Sequence, residues 1–268
     1  MPPNSENTTA DNEQNGSLGG TQSLIRGLRV VEAIASSTPS VGVGELSRTL
    51  QLPKSTVQRL LRTLELEGWA ETSSEPITRW QLTPRLLSIA RHGVPSRGIR
   101  DVALPHITEL GRVTGETIHF CLPDGTQQLV LIERVDSVHP VRTFNPIGAG
   151  TGFHNSAAGK AWLAALPESE FTQFLATPLD HTTPNTITDP ATIAQQVHQA
   201  RANGYAINLA ENRAGVRAIG SAVVNAEGQP IATVSISMPD SRFEESRVPE
   251  WGAMVRETAQ AITNDYAI

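Results

Sequence analysis

The amino-acid sequence predicts an α+β protein in two parts, a small helical domain with a β-hairpin and a larger domain of helices flanking a mainly antiparallel sheet. Three observations carry this prediction. Residues 43–64 hold two short apolar stripes at helical spacing around a tight turn, with a hairpin signal just after them. From Gly115 the apolar residues change from a helical period to the alternation of strands. Charge is also unevenly divided: residues 21–100 hold eleven basic and six acidic side chains, residues 101–268 ten and eighteen. At 268 residues the chain is long enough for two domains, each burying its own core.

Residues 1–20 are rich in Asn, Gly, Ser and Thr and nearly free of large apolar side chains, so they cannot offset the entropy of ordering and are expected to form a disordered tail. The domain at 21–83 starts with a helix in which Leu24, Leu28, Val31 and Ile34 recur at helical spacing. Ser23 is its expected cap, and its apolar face is expected to pack behind the helix pair at 43–64. In residues 43–50, Leu46 and Leu50 form an apolar edge. Gln51-Leu52 turns the chain, and Pro53 stands where the first turn of the next helix tolerates proline. That helix places Val57, Leu60, Leu61 and Leu64 at i, i+3, i+4 and i+7.

Its other faces carry Lys54, Ser55, Thr56, Gln58, Arg59, Arg62 and Thr63. No acid and no large apolar residue stands among them, and every one can bond a phosphate or a base edge. An outward face of this kind suits the second helix of a helix-turn-helix, which enters the major groove. Glu67-Gly68 closes the helix, and residues 69–72 and 78–82 read as two strands around 73–76. Helix, turn, helix and hairpin in this order predict a winged helix-turn-helix bound to double-stranded DNA. Ser55, Thr56, Gln58, Arg59 and Arg62 are expected on the operator, with Lys54 and Arg79 on phosphates. The net charge of −6 does not oppose this, because residues 21–100 alone carry +5.

Thr83-Pro84 starts a linker helix within 84–96, broken by Gly93 and Pro95. The second domain, 97–268, opens with a helix over 97–113 whose inward residues are Val102, Leu104, Ile107 and Leu110, with Pro105 a source of kinking. Strands are expected at 116–122, 128–135 and 141–144, the first two joined by Pro123-Asp124-Gly125-Thr126. A glycine-rich loop at 148–155 feeds short helices at 156–165 and 168–175. Asp189-Pro190 opens another helix that ends at Gly204. Strands at 205–209, 216–225 and 230–238 and a helix at 251–266 complete the domain.

The single cysteine, Cys121, excludes an intramolecular disulfide and fits a reducing cytoplasm, where it serves as a small buried apolar group. No apolar run approaches membrane-spanning length and the N-terminus lacks a hydrophobic signal core, so a cytoplasmic protein without membrane contact is expected. The seven histidines stand singly, without metal-ligand spacing, so neither a metal nor a cofactor is expected.

The chain from about 22 to 265 resembles the IclR-type bacterial transcription regulators. The resemblance lies in SLIRGLRVVEAIA (23–35), LPKSTVQRLLRTLELEGW (52–69), WQLTPRLLSIA (80–90), TGETIHFCLPDG (114–125), LVLIERVDS (129–137), HNSAAGKAWLA (154–164), GYAINLAENRAGVRAIGSAVVNAEG (204–228) and IATVSISMPDSRF (231–243). It implies a winged helix that binds operator DNA as a dimer and an effector domain similar to the GAF fold. That domain would bind a small organic acid and mediate assembly into a homodimer or a dimer of dimers. The implied effector cradle is the loop and first helical turn at 153–160, with Phe153, His154, Ser156, Ala157 and Ala158. Ser235 and Ser237, on one face of the last strand, match a serine pair of the family. His119, Phe120 and Arg142 are further candidate wall residues. Where this chain has Asn208 and Ala218 the family often has Asp and Cys. Losing a carboxylate and a thiol adds room, and implies an acid larger than pyruvate, aromatic or branched.

Two alternatives come from the residues themselves. Ser156 and Lys160 at i, i+4 allow an activated nucleophile, but no Gly-x-Ser-x-Gly elbow is present and Lys160 reads equally as a surface lysine, so no enzyme is expected. A winged helix used for protein contact alongside small-molecule binding is the other. Its recognition face would need large apolar residues, which this one lacks.

Overall fold

The computed structural model describes residues 21–37, 39–73, 78–93, 98–125 and 128–266. The expected N-terminal tail, the tip of the wing and the end of the linker therefore lie outside the described residues. The chain divides into two compact units, one ending at Val94 and the other beginning at Pro95.

In the first unit, α1 (Gln22–Ala35) packs on α2 (Val43–Thr49) and α3 (Lys54–Leu66). Their core is Val30, Ile34, Leu46, Val57 and Leu61, joined by Val41, Ala70 and Trp80. The expected stripe of α3 is half realised: Val57 and Leu61 are fully buried, whereas Leu60 and Leu64 lie at its half-buried edge. The α1 face differs from expectation. Leu24 and Leu28 are exposed and Val31 is half-buried; Ile34 is buried as expected, and Val30 joins it in the contact. Ser23 lies inside the helix, with Thr21 at the cap position and no side-chain hydrogen bond there. Gln51 turns the chain with a positive φ of 53°, and Pro53 stands at the N-cap position rather than in the first turn. Gly68 closes α3 at φ 72°, with Trp69 N donating to the Leu64 carbonyl at 2.7 Å, the bond of a left-handed helix stop.

The wing is the antiparallel pair β1 (Ala70–Ser73) and β2 (Arg79–Leu82). Val41 and Trp80 exchange two backbone hydrogen bonds, so the segment ahead of α2 bridges to the open side of β2. The linker helix α4 (Arg85–Gly93) follows, tied back by Arg85, which donates to the Glu67 carbonyl and sits over the Trp69 ring.

The second unit is a six-stranded antiparallel sheet of order β5-β4-β3-β8-β7-β6, built from β3 (Thr117–Pro123), β4 (Gln128–Val135), β5 (Gly150–Gly152), β6 (Ala206–Leu209), β7 (Val216–Val224) and β8 (Pro230–Pro239). Helices α5 (Ile99–Thr114) and α9 (Val248–Tyr266) cover one face. Ile118, Phe120, Ile219, Val223, Val234 and Ile236 point into that layer. Helices α6 (Ala157–Ala165), α7 (Glu168–Leu175) and α8 (Pro190–Asn203) take the other face, over Leu129, Leu131 and Cys121. Alternation along each strand thus decides which residues meet which helical layer.

Pro105 is accommodated inside α5, where Leu104 is exposed and Ile99 and Ala103 take the inward positions beside Ile107 and Leu110. The strand expected at 141–144 does not form. Pro140 and Pro146 bracket that segment, Val141 and Phe144 are exposed, and only Thr143 is buried, so it has neither a buried face nor a ladder to join. The neighbour of β4 is instead the short β5, inside the glycine-rich loop. Asp189 caps α8 through Thr192 N at 2.8 Å and Gly204 ends it at φ 75°, both as expected.

Candidate functional site

The outward face of α3 carries Lys54, Ser55, Gln58, Arg59 and Arg62, all exposed, with Thr56 half-buried. The face is a free cationic and hydrogen-bonding ridge on the second helix of the pair. Arg79 is placed differently from expectation. Its Nε donates to Ser40 Oγ at 3.1 Å, and its terminal nitrogens donate to the Ser40 carbonyl at 2.7 Å and to both Glu45 carboxylate oxygens. It clamps the wing to α2, and Arg79 together with Gly42 N holds the Glu45 carboxyl below its ordinary range.

The second unit holds a partly open cavity of about 100 Å3 between the sheet, the start of α6 and the connections 143–151 and 212–216. Water needs roughly 10–15 Å3 of such space, so the cavity suits several waters or one small organic molecule. His119, Ser156, Ala157, Ala158, Asn208, Ala218, Ser235 and Ser237 all line it. The ladder brings them together: His119 faces Ser235, Ala218 faces Ser237, and Asn208 faces Ala218. Gly220 leaves space for this close approach, since a Cβ there would lie 2.9–3.0 Å from backbone atoms of Ala157 and Ala158.

Four candidates lie elsewhere. Phe153 belongs to the second core, its ring 6.1 Å from Trp162 and 5.9 Å from Phe174. Phe120 alternates onto the opposite face of the sheet. His154 is buried with Nε2 3.0 Å from the Asp180 carbonyl oxygen, and Arg142 points to solvent while its neighbour Thr143 lines the cavity. Sequence reasoning missed Thr143, Asn145, Asn212 and Arg213, which arrive on irregular connections where no periodicity marks a face, and Thr151, which lies on the three-residue strand β5, too short to show one. Cys121 could have been found, since it shares the strand face of His119. It lines the cavity, and burial pushes its thiol up to about 12, which keeps it protonated.

The cavity is polar in a particular way. Among the described residues no aspartate or glutamate lines it, and Arg213 is its one cationic wall residue. Burial pushes the His119 imidazole down to about 4, so it is neutral near pH 7, and its Nε2 has no hydrogen-bond partner among the described residues. At the start of α6, Ser156 Oγ accepts from Gly159 N at 2.9 Å, while the N–H groups of Ala157 and Ala158 remain at the positive end of the helix.

Lys160, read as a surface residue, is the largest departure. It is 1% exposed, and its Nζ donates to both oxygens of Glu211, itself 3% exposed, at 2.6 Å. Burial pushes the ammonium down and the Glu211 charge opposes that. With Lys160 held in this pair and Ser156 bonded to Gly159 N and the Gly152 carbonyl, the arrangement of an activated serine is absent.

Residues 23–74 match the IclR helix-turn-helix domain and residues 92–264 match the family described as bacterial transcriptional regulator IclR C-terminal. The chain belongs to the IclR family. It is therefore a DNA-binding transcriptional regulator and not an enzyme. The transcriptional repressor IclR of Escherichia coli (strain K12) is 33% identical over 250 residues, which cover 92% of this chain and 91% of that protein. Among solved structures, the IclR of Thermotoga maritima matches with a TM-score of 0.67 at 27% identity, over 91% of this chain and 98% of its own. An IclR homologue from Microbacterium hydrocarbonoxydans, complexed with 4-hydroxybenzoate, shares the fold with a TM-score of 0.74 at 24% identity, over 91% and 98% of the two chains. Among the described residues no helix is long and apolar enough to cross a membrane, and no cluster of His, Cys, Asp or Glu could hold a metal ion.

Proposed function

We propose that this IclR-family protein is a repressor of a catabolic operon whose grip on operator DNA is modulated by a small organic acid bound in the cavity of residues 97–268. The observation that carries the effector half is the cavity itself: helix N–H groups, Ser235, Ser237 and a neutral His119, without a partner among the described residues, converge on a space that no described acidic side chain lines. The acid is larger than pyruvate. Ala218 leaves room for a branched or aromatic body and Asn208 removes a carboxylate that would repel it, and the homologue complexed with 4-hydroxybenzoate makes aromatic carboxylates the first to test. The domain boundaries we assign are 21–83 for the winged helix, 84–96 for the linker and 97–268 for the effector domain. The working form is a homodimer or a dimer of dimers.

On DNA, Ser55, Thr56, Gln58, Arg59 and Arg62 face the bases and Lys54 the phosphates. A bidentate base contact contributes roughly 1–3 kcal/mol of discrimination, while a phosphate contact sets affinity and its salt dependence. The acid acts by binding one arrangement of the dimer more tightly than another, shifting their populations by that difference and no more. The test is binding of the purified protein to the promoter region upstream of its own gene, with and without a panel of aromatic and aliphatic carboxylates. Specific binding released or altered by one acid is expected. Binding that no acid changes would remove the effector assignment, and unchanged affinity in an Arg59→Ala/Arg62→Ala variant would remove the α3 assignment.

A further inference from the structure

The two ends of the cavity differ in what they offer. His119, Ser235 and Gly220 form one row across β3, β8 and β7, and Gly220 lies against Ala157 and Ala158 at the start of α6. One two-residue step along the strands, about 6.8 Å, lies the row of Ser237, Ala218 and Asn208. Beyond that row the connection from β6 to β7 brings Asn212 and Arg213 to the wall. Asn212 Nδ2 donates to Thr151 Oγ1 and Arg213 donates to the Phe144 carbonyl, each at 3.1 Å, which fixes both against the opposite connection. Only one of the five guanidinium N–H groups is spent on that bond.

Positive potential therefore stands at both ends, from the α6 N-terminus at one and the Arg213 guanidinium at the other. The nearest acid along the chain, Glu211, is turned into its own buried pair with Lys160 and does not line the cavity. His119 marks the first end as a binding position. It is 7% exposed, it lines the cavity, and its Nε2 is buried without a partner among the described residues. Buried polar atoms of this kind are rare in folded proteins because each gives up its bond to water. A ligand oxygen at that end restores the bond.

We propose that the effector is a dicarboxylate, held with one carboxylate on the Ala157 and Ala158 N–H groups, Ser235 and His119, and the other on Arg213 with Asn212. His119 then carries its ring proton on Nε2 and donates it to the first carboxylate. The second carboxylate gains a charge-assisted pair that a monocarboxylate of the same body lacks. The proposal rests on the effector reading of the cavity and adds the second charge to it.

The test is calorimetric titration of the full-length protein with matched acids: benzoate against isophthalate and terephthalate, and pentanoate against glutarate. At least one dicarboxylate is expected to bind about tenfold or more tightly than its monocarboxylate partner, the size of a single charge-assisted pair. Arg213→Gln is expected to abolish that preference by weakening the dicarboxylate, and Arg213→Lys to keep part of it. Equal affinities within every pair, or a preference that survives Arg213→Gln, would overturn the dicarboxylate assignment alone. Failure of every acid to bind would instead overturn the effector reading beneath it.

Discussion

Replacing Lys160 by methionine should strongly destabilise the effector domain without touching a wall of the effector cavity. Lys160 Nζ lies 2.6 Å from each carboxylate oxygen of Glu211 and 3.3 Å from the Ile207 carbonyl, with side-chain exposures of 1% and 3% for the pair. Methionine keeps the unbranched apolar stem, so little space opens and the cost is that of the orphaned carboxylate. Removing one partner of a buried pair costs about 3–5 kcal/mol, and each kcal/mol lowers the midpoint of a domain this size by roughly 2–4 °C. Thermal unfolding of the full chain, followed by circular dichroism and calorimetry, should show the transition of the effector domain falling by about 6–20 °C. The double variant Lys160→Met/Glu211→Leu, which removes both charges, should recover most of that loss. Glu211 also accepts from Leu209 N, and its carbonyl accepts from the Thr183 and Thr186 hydroxyls, so it anchors the connection that carries Asn212 and Arg213. Acid binding should therefore weaken in the single variant as well. A midpoint within about 3 °C of the parent, or a double variant no better than the single, would refute the account of Lys160 as a pinned internal charge.

Gly159→Ala places a Cβ 2.4 Å from backbone atoms of Gly152 and Phe153, so α6 must shift from the glycine-rich loop. Loss of acid binding together with a lowered melting point is expected, and an unchanged midpoint would contradict the packing. Folding holds the His119 pKa near 4, below its ordinary 6.5, so it favours the neutral ring. That stability is complete above pH 6.5 and is lost as pH falls toward 4. Between pH 7 and 5 the loss is about 2 kcal/mol, and denaturant titrations of parent and His119→Gln at both pH values should differ by that amount. Lys54→Ala should lower the slope of log affinity against log salt by about 1, since its side chain is assigned to a phosphate. Arg79→Ala should leave the slope unchanged, because its guanidinium is spent on Ser40 and Glu45.

Local chemistry determined much of this protein. The four-residue spacing of α3, the left-handed Gly68 and Gly204, the Asp189 cap and the alternation of β3, β7 and β8 are short-range rules, and each element formed where its residues require it. The same alternation is enough to put Ser235 and Ser237 on one face of β8, and the register with β3 adds His119 to it. The resemblance to the family supplied the start of α6, Asn208 and Ala218, which residue patterns alone leave as a turn and two strand positions.

What the chain could not announce is which groups meet across long separations. Lys160 and Glu211 are fifty-one residues apart, and nothing near either one distinguishes a buried lysine from a solvated one. Arg79 looks free in sequence because Glu45 and Ser40 come to it only when the wing folds against α2. Phe153 and His154 follow the glycine-rich loop into the α6–α8 core rather than the cavity, since the large ring gains more from Trp162 and Phe174 than from a polar space. Arg213 reaches the cavity from an irregular connection whose course is set by the buried pair beside it. Periodicity fixes the faces of helices and strands; connections take their positions from tertiary contacts, and there only the folded structure decides.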